Sequence, residues 1–105
     1  GGLEVHIGTI VVPEQTESGT FIPIIVSFRN TGDEKLEDVK VRVVLPELGA
    51  ASPSAGPFDL NEGKRTTQTL LVELPEDVEL GTYTVRLTID SASLHRVVHR
   101  DLVVE

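Results

Sequence analysis

The stretch GTYTVRLTID, residues 81–90, alternates apolar and polar side chains after its first glycine. Tyr83, Val85, Leu87 and Ile89 are apolar, and the residues between them are polar. A strand with one face in a core and the other in water has this two-residue period, and β-branched and aromatic residues favour strands. The stretch therefore predicts a central strand of a sheet.

The turn segment 75–80 comes directly before this strand and places Gly81 and Tyr83 at the strand's start. Immunoglobulin-like sandwiches have a buried tyrosine at this point, whose hydroxyl bonds back to the preceding corner. We therefore predict structural roles for Gly81 and Tyr83.

Six further segments have strand character, and turn residues separate them every 8 to 12 residues or so. The sequence thus predicts an all-β fold, a seven-stranded antiparallel immunoglobulin-like β-sandwich. Besides 81–90, the predicted strands are 3–12, 20–29, 38–45, 58–60, 65–74 and 94–104.

Irregularities are predicted in the first two strands. The alternation slips by one residue at Gly8-Thr9, which predicts a bulge and a possible change of sheet there. Pro23 lacks a backbone donor and predicts an edge or an irregularity. Phe21 and Ile25 point outward, toward another domain or a covering loop, and base rates favour the loop.

The turn Asn30–Asp33 has residues that favour tight backbone bends, so Asn30 and Gly32 are predicted to be structural. Leu36 is expected to plug the connection that follows. Residues 46–57 are rich in Pro, Gly, Ala and Ser and predict a long mobile loop.

Composition limits the architecture. The 105 residues fit one domain over 3–105, with Gly1-Gly2 expected to be a cloning remnant. The chain has no cysteine, which excludes disulfides, thiol catalysis and thiolate metal sites. No apolar stretch of about 18 residues and no leader pattern occur, so neither membrane insertion by this segment nor a signal peptide is predicted.

The net charge of -8 opposes binding to nucleic acid or anionic lipid. His95 and His99 stand roughly 13 Å apart on a strand, too far for one metal ion, and His6 is remote, so surface histidines are predicted. The acidic turn lacks the pattern of a calcium loop, and a solvated turn is favoured. Its residues are Asp33, Glu34, Glu37 and Asp38.

Catalytic motifs are absent from the sequence. It has neither a Gly-x-Ser-x-Gly elbow nor a Ser-x-x-Lys motif. We predict no enzyme activity, no catalytic residue and no cofactor.

Five of the nine basic residues fall on three strands that are neighbours in an immunoglobulin-like sheet. They predict a basic face that docks an acidic partner, either another module or an anionic glycan. The alternative is pairing with nearby carboxylates and no partner, which is common on surfaces. Arg96 and Arg100 share a row with apolar residues, so their strand is expected to carry a bulge or to lie at an edge. The five residues are Lys40, Arg42, Arg86, Arg96 and Arg100.

The order of several short motifs resembles archaeal surface-layer-associated β-sandwich modules and the related CARDB-like domains. These motifs encode turns and core positions and cover about four fifths of the chain. They are Val26–Asp33, Leu36–Val39, Leu45–Gly49, Leu60–Gly63, Leu74-Pro75 and Gly81–Tyr83.

The resemblance implies an extracytoplasmic, non-catalytic module of a cell-surface or secreted, archaeal protein, acting as a spacer or as a protein-contact and adhesion unit. Its implied partners are other protein modules, surface-layer protein or an anionic glycan. The alternatives are a carbohydrate-binding accessory module of a secreted hydrolase and a surface-layer-binding stator or pilus-associated domain.

Overall fold

Residues 2–105, which the computed structural model describes, form eight strands and one turn of 3-10 helix. Gly1, expected with Gly2 to be a cloning remnant, lies outside the described residues. The predicted all-β class is confirmed, with eight strands instead of seven. The strands are β1 (Val5–Val11), β2 (Phe21–Asn30), β3 (Leu36–Leu45), β4 (Ala50–Ala51), β5 (Ala55–Leu60), β6 (Arg65–Glu73), β7 (Gly81–Asp90) and β8 (His95–Val104), and the helix is Pro46–Leu48.

The strands form two antiparallel sheets that face each other as a sandwich. The three-stranded sheet has the order β1-β2-β6. The five-stranded sheet has the order β4-β3-β7-β8, and β5 pairs with β3 as well. Strand β7 lies between β3 and β8, so the central position predicted for residues 81–90 is confirmed.

The core lies between the two sheets and consists mainly of Val, Ile and Leu. Strands β2, β3 and β7 contribute every second residue over most of their length, which follows from the pleat of a β-strand. Burying these apolar side chains is the main favourable contribution to folding. The inner rows include Ile22, Ile24, Val26 and Phe28 of β2, Val39, Val41, Val43 and Leu45 of β3, Leu70 and Val72 of β6, and Val85, Leu87 and Ile89 of β7.

The segment 46–57, predicted to be a mobile loop, contains ordered structure. The 3-10 helix, β4 and the start of β5 all fall within it. Ser52 is buried and holds the segment to β3, since its backbone N–H donates to the Val43 carbonyl (2.8 Å) and its hydroxyl accepts from the Val43 N–H (3.0 Å). The loop prediction is wrong because small residues that are common in loops also suit a tight edge pairing.

The first strand has the predicted bulge, with a register shift between Ile7 and Thr9. Strand β1 pairs with β2 on both sides of this shift, so the bulge does not mark a change of sheet. The chain reaches the other sheet only at Thr16, which forms a parallel bridge with Val104 of β8.

The outer face of β2 differs from the prediction at one position. Phe21 is 64% exposed, so the expectation that a loop covers it is wrong. Ile25 is half-buried. The pairing of β1 with β2 ends at Ile25, so Pro23 lies beyond the end of β1, which agrees with the edge position expected for it.

Tyr83 makes the hydrogen bond expected at this corner: its hydroxyl donates to the Glu79 carbonyl at 2.7 Å. The side chain is half-buried against the core and not fully buried as predicted.

The turn after β2 is organised by Asn30, which is fully buried. Its side-chain amide donates to the carbonyls of Glu34 (2.8 Å) and Leu60 (2.9 Å). Its side-chain oxygen accepts from the Gly32 N–H at 3.0 Å. A Cβ at Gly32 would lie 2.2 Å from the Gly2 carbonyl oxygen, so only glycine fits this close approach. One side chain thus joins two connections at the same end of the sandwich.

We expect Asn30→Ala to lower the free energy of unfolding by about 2–4 kcal/mol, because it leaves buried backbone groups without hydrogen-bond partners. Urea unfolding of the unmodified chain and of Asn30→Ala measures this difference in the free energy of unfolding. The matched control is Asn61→Ala, since Asn61 is exposed and a change there is expected to stay within about 0.5 kcal/mol. Equal losses in the two variants would show that Asn30 has no special role.

Candidate functional site

The outer face of the five-stranded sheet carries charged side chains in register across three strands. In β3 and β7, Lys40 is opposite Asp90, and Arg42 is opposite Thr88. Val44 is opposite Arg86 in the next row. On the other side of β7, strand β8 places His95 opposite Asp90, Val97 opposite Thr88 and His99 opposite Arg86. We call this surface the mixed-charge face, defined by Lys40, Arg42, Glu47, Arg86, Asp90, His95, His99 and Asp101.

Three of the five predicted basic residues lie on this face: Lys40, Arg42 and Arg86. Strands β3, β7 and β8 are neighbours, as expected. Arg96 and Arg100 are opposite Ile89 and Val85, which point into the core. Both arginines therefore lie on the inner side of β8, and the prediction that all five share one face is wrong.

The position of β8 at the sheet edge explains how its arginines stay out of the core. Both are exposed. Arg96 Nη1 donates to the Val5 carbonyl of β1 at 3.0 Å and so links the two sheets. Arg100 Nη1 donates to the neighbouring His99 carbonyl at 2.8 Å. The expected edge position, with the charged heads reaching water, is confirmed.

Carboxylates share the mixed-charge face with the cations. Asp90 contacts the Nδ1 of His95. Within residues 2–105, Lys40, Arg42 and Arg86 make no salt bridge. The formal charge of the face is zero with neutral histidines, since its three cations balance Glu47, Asp90 and Asp101. The face is less acidic than the whole chain, but it is not strongly basic.

A shallow groove crosses the end of this face where β3 stops. The backbone N–H of Thr84 in β7 has no strand partner there, because the chain turns into the helix Pro46–Leu48 after Leu45. The Glu47 carboxylate takes that place and accepts from the Thr84 N–H at 3.1 and 3.2 Å. The groove is lined by Pro46, Glu47, Thr84, Arg86, His99, Arg100 and Asp101.

The histidines and the acidic turn considered as possible metal ligands do not come together in one site. His95 and His99 lie on β8, and His6 is on β1 in the other sheet. In the acidic turn, Lys35 pairs with Glu37 at 3.9 Å and with Asp59 at 3.7 Å. Among residues 2–105, no group of three or more His, Asp or Glu side chains is arranged to hold a metal ion. The same part of the chain has no helix long and apolar enough to cross a membrane.

Comparison with known proteins gives a family and a fold. The model of the family described as NPCBM-associated, NEW3 domain of alpha-galactosidase matches residues 16–91. No curated protein sequence matches the chain.

Three solved structures with the same fold, each less than 25% identical to this chain, show how widely the fold occurs. The CARDB domain of a Pyrococcus furiosus protein, solved with di-metal ions, has 18% identity and a TM-score of 0.72, and the match covers 98% of this chain and 89% of that one. It confirms the resemblance to CARDB-like modules. Native alpha-2-macroglobulin of E. coli has 19% identity and a TM-score of 0.75, over 96% of this chain and 6% of that one. A β-glucosidase from Listeria innocua has 17% identity and a TM-score of 0.59, over 95% of this chain and 16% of that one.

We expect Glu47→Ala to increase hydrogen exchange at the Thr84 amide, because the variant exposes this N–H to water. Hydrogen exchange followed by NMR measures the effect residue by residue. The free energy of unfolding should change by only about 1 kcal/mol, since the bond is exposed. Glu62→Ala, in an exposed turn, is the control and should leave Thr84 protection unchanged. Unchanged protection in Glu47→Ala would contradict the proposed role of the carboxylate.

Proposed function

The chain belongs to the NPCBM-associated, NEW3 domain family of alpha-galactosidase, and from this membership we propose that it is a non-catalytic accessory module that separates and contacts other domains. Residues 16–91, which match the family, include most of both sheets. Solved proteins with this fold support a modular role, because the fold is a small part of several larger chains.

The observation that carries the spacer role is the position of residues 2 and 105 at opposite ends of an elongated body. The body measures 45 × 20 × 17 Å. Gly2 bonds to Asp33 in the turn after β2, at one end of the sandwich. Glu105 bonds to Thr16 just beyond the pairing of Gly81 with Val104, at the other end. A module built this way adds its full length between whatever is joined to its two ends.

Contact with other protein modules is proposed for the mixed-charge face. Cations and carboxylates held at fixed positions on this face favour a partner with the complementary pattern and disfavour others through like-charge contacts. The cations Lys40, Arg42 and Arg86 are free of salt bridges within residues 2–105 and are therefore available to a partner.

We propose that the module works outside the cytoplasm, in a cell-surface or secreted protein, where it acts as a structural or adhesive unit. The extracytoplasmic site and the surface-layer partner come from the sequence resemblance and stay predictions. The archaeal origin stays a prediction too, since solved relatives in fold come from Pyrococcus furiosus and from bacteria. The role of a surface-layer-binding stator or pilus-associated domain is an alternative that also comes from the sequence resemblance.

A second candidate function is that of an accessory module of a secreted hydrolase that binds carbohydrate. The family description, which names alpha-galactosidase, favours it. So does the likeness in fold to parts of two glycoside hydrolases, from Listeria innocua and Clostridium perfringens. The exposure of Phe21 also leaves one aromatic ring free for stacking on a sugar.

The spacer role predicts that joining Glu105 of one copy directly to Gly2 of the next gives an extended particle. Small-angle X-ray scattering should show a maximum dimension of about twice the 45 Å long axis. A fusion through a long Gly-Ser linker is the control and should give a broader distribution of distances. A maximum dimension close to that of one module would contradict the spacer role.

A further inference from the structure

The outer face of the three-stranded sheet changes character from one end to the other. Its apolar end is exposed, with Val11 at 52%, Phe21 at 64% and Leu71 at 51% of full exposure. The middle carries hydroxyls, and the Ser27 and Thr67 hydroxyls are bonded to each other at 2.8 Å. The opposite end is cationic.

Three basic side chains meet at the cationic end through strand register. Arg29 of β2 is directly opposite Arg65 of β6, and His6 of β1 is directly opposite Arg29 on the other side. All three are exposed. We call these residues, His6, Arg29 and Arg65, the cationic row.

The cationic row has no partner within the described part of the chain. No salt bridge and no side-chain hydrogen bond involves Arg29, Arg65 or His6 among residues 2–105. Like charges directly opposite each other across two strands destabilise a sheet. The nearby Glu4 makes no salt bridge either, and its backbone carbonyl accepts from the Thr31 N–H at 3.1 Å. The fold thus places two arginines opposite each other, and within residues 2–105 no carboxylate forms a salt bridge with either of them.

The bulge in β1 opens a groove beside these side chains. Gly8 lies at the bulge and has no side chain to fill the space, and a Cβ there would meet the Ser27 carbonyl oxygen only at 3.6 Å. Hydroxyl residues and the backbone provide further polar groups around it. The groove is lined by His6, Gly8, Thr9, Ser27, Phe28, Arg29, Thr31 and Arg65.

We infer that this groove binds the oxyanion group, carboxylate or sulfate, of an acidic saccharide. Two guanidinium groups on opposed strands can each offer paired donors to such a group, and arginine is suited to this planar recognition. The hydroxyls of Thr9, Ser27 and Thr31 suit a ligand that carries many hydroxyls of its own. The saccharide part of the inference rests on the proposed accessory role, whereas the anion site rests on the cationic row alone.

The charge of the whole chain limits the affinity of this site. A net charge of -8 repels anions at long range, so only ligands that reach the groove gain from the two arginines. Binding is therefore weak and falls as salt is added, because the charges are exposed and screened. An acidic peptide is less suited, since the groove lies on the face of the sheet, whereas a peptide that adds as a strand pairs along a sheet edge.

The test is an NMR titration of the 105-residue chain with an oligogalacturonate, a sulfated oligosaccharide and a neutral galactan of the same length. We expect one or both acidic probes to shift the amides of Gly8, Thr9 and Thr31, with little change for the neutral probe. The acidic probe that binds identifies the oxyanion. Arg65→Glu should weaken this binding by about tenfold or more, because it replaces a charged donor with a repelling carboxylate.

Two variants separate the groove from general charge effects. Arg42→Glu makes the same charge change on the other sheet and should alter the affinity by less than about twofold, since exposed charges far apart are screened. Gly8→Val fills the groove without changing any charge and should weaken binding as well. Urea unfolding of each variant confirms that it is folded before the titration is interpreted.

Several outcomes would overturn the inference. Equal binding of the neutral galactan would show that the oxyanion is not recognised, and equal binding of polyglutamate would show that the saccharide is not. Equal losses in Arg42→Glu and Arg65→Glu would show a diffuse charge effect. None of these outcomes bears on the scattering of the tandem fusion, so the anion site and the spacer role fail independently.

Discussion

The whole structure depends on burying one row of aliphatic side chains from each strand between the two sheets. A buried Val, Leu or Ile contributes roughly 1.5–3 kcal/mol relative to an exposed one, so slipping a strand by one residue would move its entire row into water. This constraint fixes which residues of β2, β3 and β7 face outward. The outer faces are therefore set by the core, although none of their residues takes part in it.

The requirement for apolar side chains on the inner row is weaker at the side of the sandwich where β1 and β8 lie. Strand β8 has Arg96 and Arg100 on its inner row, which the core would exclude at a central position. Hydrogen bonds join the sheets here instead, through Arg96 to the Val5 carbonyl near one end and through Thr16 to Val103 near the other. Strand β8 can therefore carry two arginines on its inner row while Leu102 and Val104 of the same strand are buried.

Sequence reasoning succeeded where a local pattern carries the information. The alternation of Ile22, Ile24 and Val26, the slip at Gly8 and the turn at Asn30 all depend on neighbours in the chain, and the structure has each of them. The short strand Ala50–Ala51 is not among the predicted strands, because two alanines have no strand signal and depend on β3 for their conformation. The frequency of covered apolar residues predicts a loop over Phe21, whereas its side chain is 64% exposed in the structure.

The charged faces show a different limit of sequence reasoning. Outward orientation could be predicted for Arg29 and for Arg65. Their meeting depends on the register between β2 and β6, two strands that are separated in the chain by β3, β4 and β5 of the other sheet. The basic face that the sequence predicted contains three carboxylates in the structure, whereas the unpredicted cationic row contains none. Opposed arginines without a carboxylate weaken a sheet, so stability does not account for them. An anionic ligand in the adjacent groove, as proposed above, would supply the partner that no residue among 2–105 provides through a salt bridge.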